Sequence, residues 1–338
     1  MYEPPFHITP NILRLVASVV EKVGEAKALH LELPPIQLRK KNRIRSIQAS
    51  LAIEGNTLTF DQVTDVLEGR QVVGPAYELL EVKNALAAYE QLELLNGLSL
   101  DDFLAAHRLL MQGLLPDAGL FRKGSVGIAK GNELTHLAPP ASRVPYLMQD
   151  LFDFLNDSDE LMLIKSCIFH YEVAFIHPFT DGNGRIGRLW HSVLLAQRYP
   201  ALRYMALETM VRQHQQGYYQ ALEQADRIGH STPFVAFMLE MLNKALELLL
   251  AARAPQLNHH SRIQLFIASH REACFSRKDY LRFFPTLSTA TASRDLRTAV
   301  EQHLLLKEGD KRTTRYCLPT QLHAQGSSRP PTSSLPIS

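Results

Sequence analysis

Cysteine is scarce in this chain: three residues in 338, at Cys167, Cys274 and Cys317, odd in number and far apart. They form no metal-ligand spacing, and their small number points to a reducing compartment. No apolar run reaches the roughly 18 residues that a membrane helix needs. The start, MYEPPFHITP, lacks the basic-then-apolar pattern of a signal peptide. There is no internal repeat, and no GxxxxGK[ST] phosphate loop. The histidines His30, His136, His214, His259 and His260 have no metal-ligand pattern. A formal net charge of +2 excludes any strong overall pull towards one class of partner. These absences leave a cytoplasmic enzyme or regulator, without a membrane partner, as the default.

What is present is a sizeable core, from 46% apolar residue types, in a length suited to two or three domains. Helical periodicity dominates, so the expected class is mainly α. The pattern predicts helices at 12–23, 36–53, 60–68, 76–95, 101–113, 144–156, 161–176, 184–198, 215–227 and 232–252. Period-two alternation is rare. It is clearest in KGSVGIAKGNELTHLAPP, 123–140, which predicts a hairpin turning at Lys130-Gly131-Asn132. The run RKKNRIR, 39–45, reads as the solvated face of its helix rather than a nucleic-acid site.

AARAPQLNHH, 251–260, reads as a linker. Beyond it, helices at 261–270, 276–284 and 288–302 precede two short strands within 303–319, the order of a winged helix-turn-helix. Residues 261–318 hold eleven Lys/Arg against six Asp/Glu, an excess of five positive charges. A DNA or protein partner is therefore expected there, with 288–295 as the recognition helix. The final residues, rich in Ser and Pro, are expected to be a disordered tail.

One stretch concentrates polar chemistry: HPFTDGNGRIGR, 177–188, which follows the apolar helix LMLIKSCIFHYEVAFI. Pro178 disfavours helix at His177, and Asp181-Gly182-Asn183-Gly184 makes a turn into the next helix. The loop therefore lies at a helix N-terminus, which attracts anions. Arg185 and Arg188, spaced i,i+3, share a face and suit a polyphosphate. Asp181 is a natural magnesium ligand, and His177 can take a proton from an attacking hydroxyl. Singly, each feature has an ordinary explanation: a cap, a turn, a solvated face. Together they point to phosphoryl or nucleotidyl transfer.

HPFTDGNGRIGR resembles the Fic family signature HPFx[DE]GNGRxxR at every defined position. The resemblance covers most of residues 1–250. It implies an enzyme that moves AMP from ATP to a protein hydroxyl and releases pyrophosphate, with ATP and Mg2+ required. It implies His177 as general base, Phe179 as a buried anchor and Asp181 as the magnesium ligand. The cradle GNGRIGR would hold phosphates through Gly182, Asn183, Gly184, Arg185, Gly187 and Arg188. The 123–140 hairpin would be a flap that docks the target protein by strand addition, with Leu134, Thr135, His136 and Leu137 covering the nucleotide. In GYYQALEQAD, Tyr218 or Tyr219 would contact the base. The chain itself is a further expected AMP acceptor, and the family often self-associates into homo-oligomers.

A second unusual stretch is SLAIEGN, 50–56. Ile44, Ile47 and Leu51 form an apolar stripe that Glu54 continues, at the helix end least suited to a negative charge. Gly55 is the expected stop. A glutamate so placed needs a cationic partner, or else reaches out to water. Ser50, Glu54 and Gly55 also match the family's inhibitory motif [ST]xxxE[GN]. This resemblance implies that Glu54 pairs with Arg188 and lowers activity, and that a reverse, AMP-removing reaction is open.

The resulting organisation is an N-terminal helical region with the inhibitory helix (1–98), a Fic helical core with a β-hairpin flap (99–252), a small C-terminal winged helix domain (258–319) and a tail (320–338). The alternatives are a DNA-binding regulator with a nucleotide-sensing core, and a Fic enzyme transferring another nucleotide or a phosphocholine group.

Overall fold

The computed structural model describes residues 3–28, 36–125, 127–130, 133–253, 259–270, 274–285, 287–310 and 314–318, with backbone alone at 127–130, 133–137, 252–253, 261, 265 and 268–269. The chain forms two compact units, Met1–Ala252 and Arg253–Ser338. Among the described residues no helix is long and apolar enough to cross a membrane.

The first unit is helical: α1 (Pro10–Ala28), α2 (Ile36–Ile53), α3 (Phe60–Leu67), α4 (Ala76–Glu90), α5 (Leu100–Met111), α6 (Val144–Asp157), α7 (Met162–Ile176), α8 (Asn183–Arg198), α9 (Leu207–Gln213), α10 (Gln215–Ile228) and α11 (Thr232–Arg253). Only α9 was not signalled by periodicity. It has seven residues, too short for a repeating apolar stripe. The expected helix at 76–95 ends at Glu90 and is followed by turns. At its centre α7 packs against α8. Both are buried nearly all round, which explains why the run 161–176 is continuously apolar. Gly187 permits the close approach, since a Cβ there would stand 3.1 Å from the His170 ring. Below the loop that joins them, Phe103, Phe152, Phe169 and Trp190 pack edge to face. The hairpin pairs β1 (Gly127–Lys130) with β2 (Glu133–Leu137) antiparallel, with a bulge between Ile128 and Ala129.

The second unit runs α12 (His259–Ser269), β3 (Cys274–Phe275), α13 (Arg277–Phe283), α14 (Thr289–Glu301), β4 (Leu306–Glu308) and β5 (Arg315–Cys317), with sheet order β3-β5-β4. Its core is Ile263, Phe266, Phe275, Tyr280, Leu296 and Leu305. Asp295 of α14 is turned inward and takes hydrogen bonds from Arg262 and Tyr280, so it is not part of an exposed reading surface. Arg294 and Arg297 on the same helix are exposed. Two of the three cysteines, far apart in sequence and read there as suiting a reducing compartment, lie together in the structure. Cys274 and Cys317 face each other across β3 and β5 and are joined as a disulfide, a pairing hidden by 43 residues of sequence. Cys167 is buried and free. The expected tail at 320–338 lies outside the described residues.

The α7–α8 interface holds two buried imidazoles. His170 meets the Tyr218 hydroxyl at 3.1 Å, and His191 donates from Nδ1 to the Ser166 carbonyl at 3.1 Å. Burial drives the His170 pKa well down, and the His191 pKa down to about 4. Both are neutral in the folded protein, whereas an unfolded histidine titrates near ~6.5. Their stabilisation is therefore complete above that pH and is lost progressively as pH falls below it. Thermal melting from pH 7 to pH 5 should show a falling Tm, each imidazole contributing up to about 1.4 kcal/mol per pH unit. A flat profile would contradict this account.

Candidate active site

The loop between α7 and α8 is built to keep one shape. His177 caps α7 in the left-handed region (φ 50°), where a side chain is costly, and Pro178 prevents the helix from continuing. Arg122 holds this strained end. Its guanidinium donates to the carbonyls of His177 at 2.7 Å and Ile176 at 3.2 Å, and its own N–H donates to Pro178 at 2.9 Å. The same guanidinium bonds Gly124 at 2.8 Å and Pro139 at 2.6 Å, the residues that flank the hairpin. A buried charge met only by carbonyls is expensive, and burial lowers the Arg122 pKa. Arg122 thereby ties both ends of the flap to the backbone of His177.

Phe179 is fully buried beneath the loop. Asn183 closes the turn over it: its Oδ1 accepts from the Phe179 N–H and its Nδ2 donates to the Phe179 carbonyl, both at 2.9 Å. His107 stacks on the Phe179 ring with centroids 3.5 Å apart. Its Nδ1 accepts from the Gly119 N–H, so its proton sits on Nε2 and points to the Asp181 carbonyl at 2.9 Å. Burial pushes the His107 pKa down to about 4, consistent with this neutral tautomer. Gly182 turns the chain into α8 at φ 84°, and a Cβ there would stand 2.7 Å from Met111 Sδ.

The two motif arginines are buried, each held by a carboxylate. Arg188, 3% exposed, donates from Nη2 to Glu54 Oε1 at 2.6 Å and to the Ser50 carbonyl at 3.0 Å, and from Nε to Ser50 Oγ at 3.0 Å. Burial works against its charge most strongly of any single cause, but the Glu54 carboxylate together with Tyr218 and Tyr89 more than offsets this and raises the pKa. Glu54 reaches this place because α2 ends in a Schellman turn: Asn56 N–H bonds the Leu51 carbonyl and Gly55 N–H the Ala52 carbonyl, with Gly55 at φ 96°. The carboxylate lies over the first turn of α8, where a Cβ on Gly184 would collide with it. It thus occupies the position in which the unpaired N–H groups of a helix start attract an anion.

Arg185 donates to Glu81 of α4 at 2.5 Å and to Asp181 Oδ1 at 3.0 Å. Glu81 also accepts from Asn56 Nδ2 at 2.8 Å. Burial holds the Glu81 carboxyl above the usual carboxylate range, against the pull of Asn56 and Arg185. Asp181 is half exposed, and Gly182 donates its N–H to Asp181 Oδ1 at 2.6 Å, so that amide is already engaged.

Other expected site residues divide. Tyr218 is a core residue, packed on Phe234 and His170, and is not free to meet a base as the sequence reading allowed. Tyr219 is 42% exposed and donates its hydroxyl to the Ile53 carbonyl at the end of α2. The backbone of Leu134, Thr135, His136 and Leu137 lies in β2, and their side chains fall outside the described residues. Sequence reasoning missed Glu81, Asn56, His107 and Arg122. Asn56 was within reach, since it directly follows the Glu54-Gly55 turn. The others lie 55 or more residues from the Asp181 carbonyl, the His177 carbonyl and Arg185, which they hold in the site.

The profile of the Fic/DOC family matches residues 97–195. A solved Fic family protein from Desulfovibrio desulfuricans is 41% identical, covering 97% of this chain and 100% of that one with a TM-score of 0.72. The chain belongs to the Fic family. It is also 27% identical to the protein adenylyltransferase Fic of Nematostella vectensis, over 78% of this chain and 63% of that protein. The Drosophila mojavensis protein of the same name is 32% identical, over 71% of this chain and 48% of that one. The chain thus spans about half to two thirds of these relatives' length.

Two outcomes follow from the site's packing. Glu81→Ala would leave the Arg185 charge with half-exposed Asp181 alone, and urea unfolding should show a loss of about 3 kcal/mol. Gly182→Ala should cost more than Gly55→Ala: both strain a positive φ, about 1 kcal/mol, but only at Gly182 does the Cβ meet other atoms. Equal losses would mean that the Met111 contact yields freely.

Proposed function

We propose that this chain transfers AMP from ATP to a side-chain hydroxyl of a protein, and that Glu54 holds the activity low. The observation that carries this reading is the Arg188–Glu54 pair at 2.6 Å, set over the first turn of α8 inside a complete Fic motif. The names of the adenylyltransferase relatives support the same chemistry.

In this reading His177 takes the proton of the attacking hydroxyl. The hydroxyl oxygen bonds to the α-phosphorus of ATP as the bond to the bridging oxygen breaks, and pyrophosphate leaves with that electron pair. The start of α8 and its two arginines would bind the phosphates and spread their charge. Asp181 suits Mg2+. Both of its contacts use Oδ1, which leaves Oδ2 of a half-exposed carboxylate for an ion that takes its remaining ligands from phosphate and water. The ion would offset the charge on the phosphates. Tyr219 is the exposed aromatic left for the base side. The hairpin 123–140 is the docking edge for the target, and the chain itself is a further acceptor. While Glu54 holds Arg188, the outer phosphate lacks its cation and ATP lies unproductively. The same glutamate could serve a reverse reaction that removes AMP.

The order of helices and strands in the second unit supports a winged helix module. Its basic balance and the exposed Arg294 and Arg297 favour DNA as a second partner of the chain. Binding there would weaken steeply with salt.

Intact mass after incubation with ATP and Mg2+ tests the reading. Glu54→Gly should gain AMP well above wild type, by about tenfold or more, as expected for freeing a charge-assisted contact. Adding His177→Ala should abolish the gain. A target-independent failure of Glu54→Gly to bind ATP would overturn the proposal.

A further inference from the structure

A second arginine-lined space lies away from the catalytic loop. It is a shallow cleft bounded by the first half of α2, the turn after α4 and the segment before α9. Arg39, Arg43 and Arg203 line it, with Asn42, Tyr204 and Glu93. Arg39 and Arg43 come from the basic run 39–45. Their i,i+4 spacing puts them on one face of α2, and that face borders the cleft.

The charges in the cleft do not balance. Glu208, at its floor, accepts from Ser46 at 2.6 Å and from Tyr89 and Ser192 at 3.0 Å, so three hydroxyls already satisfy it. Glu93 accepts from the Tyr204 hydroxyl at 2.9 Å and stands a loose 3.7 Å from Arg203. Arg39 lies over the Tyr204 ring, 5.4 Å from its centroid, with no carboxylate partner among the described residues. Its Nε and that of Arg203 are shielded from water and make no hydrogen bond. Arg43 has no acidic partner among the described residues. Two shielded N–H groups without acceptors, beside three guanidiniums, constitute an unmet demand for an anion.

We infer that this cleft binds a small phosphate-type oxyanion. Guanidiniums match phosphate oxygens in pairs, and the Tyr204 ring holds the Arg39 fork in place. The site is separate from the α8 cradle. Arg43 and Glu54 are eleven residues apart on and beyond α2, about 16 Å along the helix. The inference therefore stands or falls independently of the AMP-transfer reading.

Calorimetric titration of the full chain with inorganic pyrophosphate, without metal, tests it. Wild type should bind, and Arg39→Ala with Arg43→Ala should weaken binding by about tenfold or more. The control, Lys40→Ala with Lys41→Ala, removes the same charge from exposed positions on the same helix and should leave affinity nearly unchanged. Arg43→Ala alone, which breaks no hydrogen bond or ion pair among the described residues, should already lose affinity. No binding by wild type would overturn the inference. So would equal affinity in the arginine variants, which assigns binding to the α8 cradle, or equal loss in both pairs, which makes it bulk charge.

Discussion

A guanidinium removed from water must be given a counter-charge, and the architecture around Arg188 follows from that demand. Its position on α8, inside a helix buried nearly all round, leaves it 3% exposed. Protein can meet the demand, through Ser50 and Glu54, or a phosphate can. The two solutions exclude each other in space, because the Glu54 carboxylate already stands over the first turn of α8. In the proposed reading stability and catalysis compete for one side chain, and the folded chain on its own answers in favour of stability.

The neighbouring arginine is bound into the same arrangement. Asn56 follows the turn that delivers Glu54, and it holds Glu81, which holds Arg185. The end of α2 thus touches one motif arginine directly and the other through an intermediary. On the opposite side of the loop, Arg122 fixes the His177 backbone to both roots of the hairpin. Loop and hairpin are thus tied together by a side chain that lies outside the motif itself.

Much of this was legible in the sequence. Local chemistry was clear. Pro178 ends α7, Gly55 ends α2, and the apolar run 161–176 forms a helix buried on all sides. The pairing of Glu54 with Arg188 was also readable, because a carboxylate continuing an apolar stripe needs a cation and the family motif names one. Long-range partners were not. His107 and Glu81 look like ordinary residues of amphipathic helices, and nothing local marks the Asp181 carbonyl or Arg185 as their destinations. Tyr218 misled for a related reason: a tyrosine pair looks the same in sequence whether its first ring faces a ligand or the core. The cysteines at 274 and 317 meet only because β3, a two-residue strand with no periodic signal, pairs with β5.

The spacing of Ser46, Ser50 and Glu54 has a consequence for how this family member can change. Each is four residues from the next, so all three lie on one side of α2, against Glu208, Arg188 and Arg188 again. A single inserted or deleted residue within this stretch would rotate everything beyond it by about 100°. It would carry Glu54 off its arginine while leaving the helix intact. Point substitutions can adjust the Glu54–Arg188 contact by degrees, but length variation can only discard it, so α2 between these residues is a segment whose length is fixed even where its composition is free.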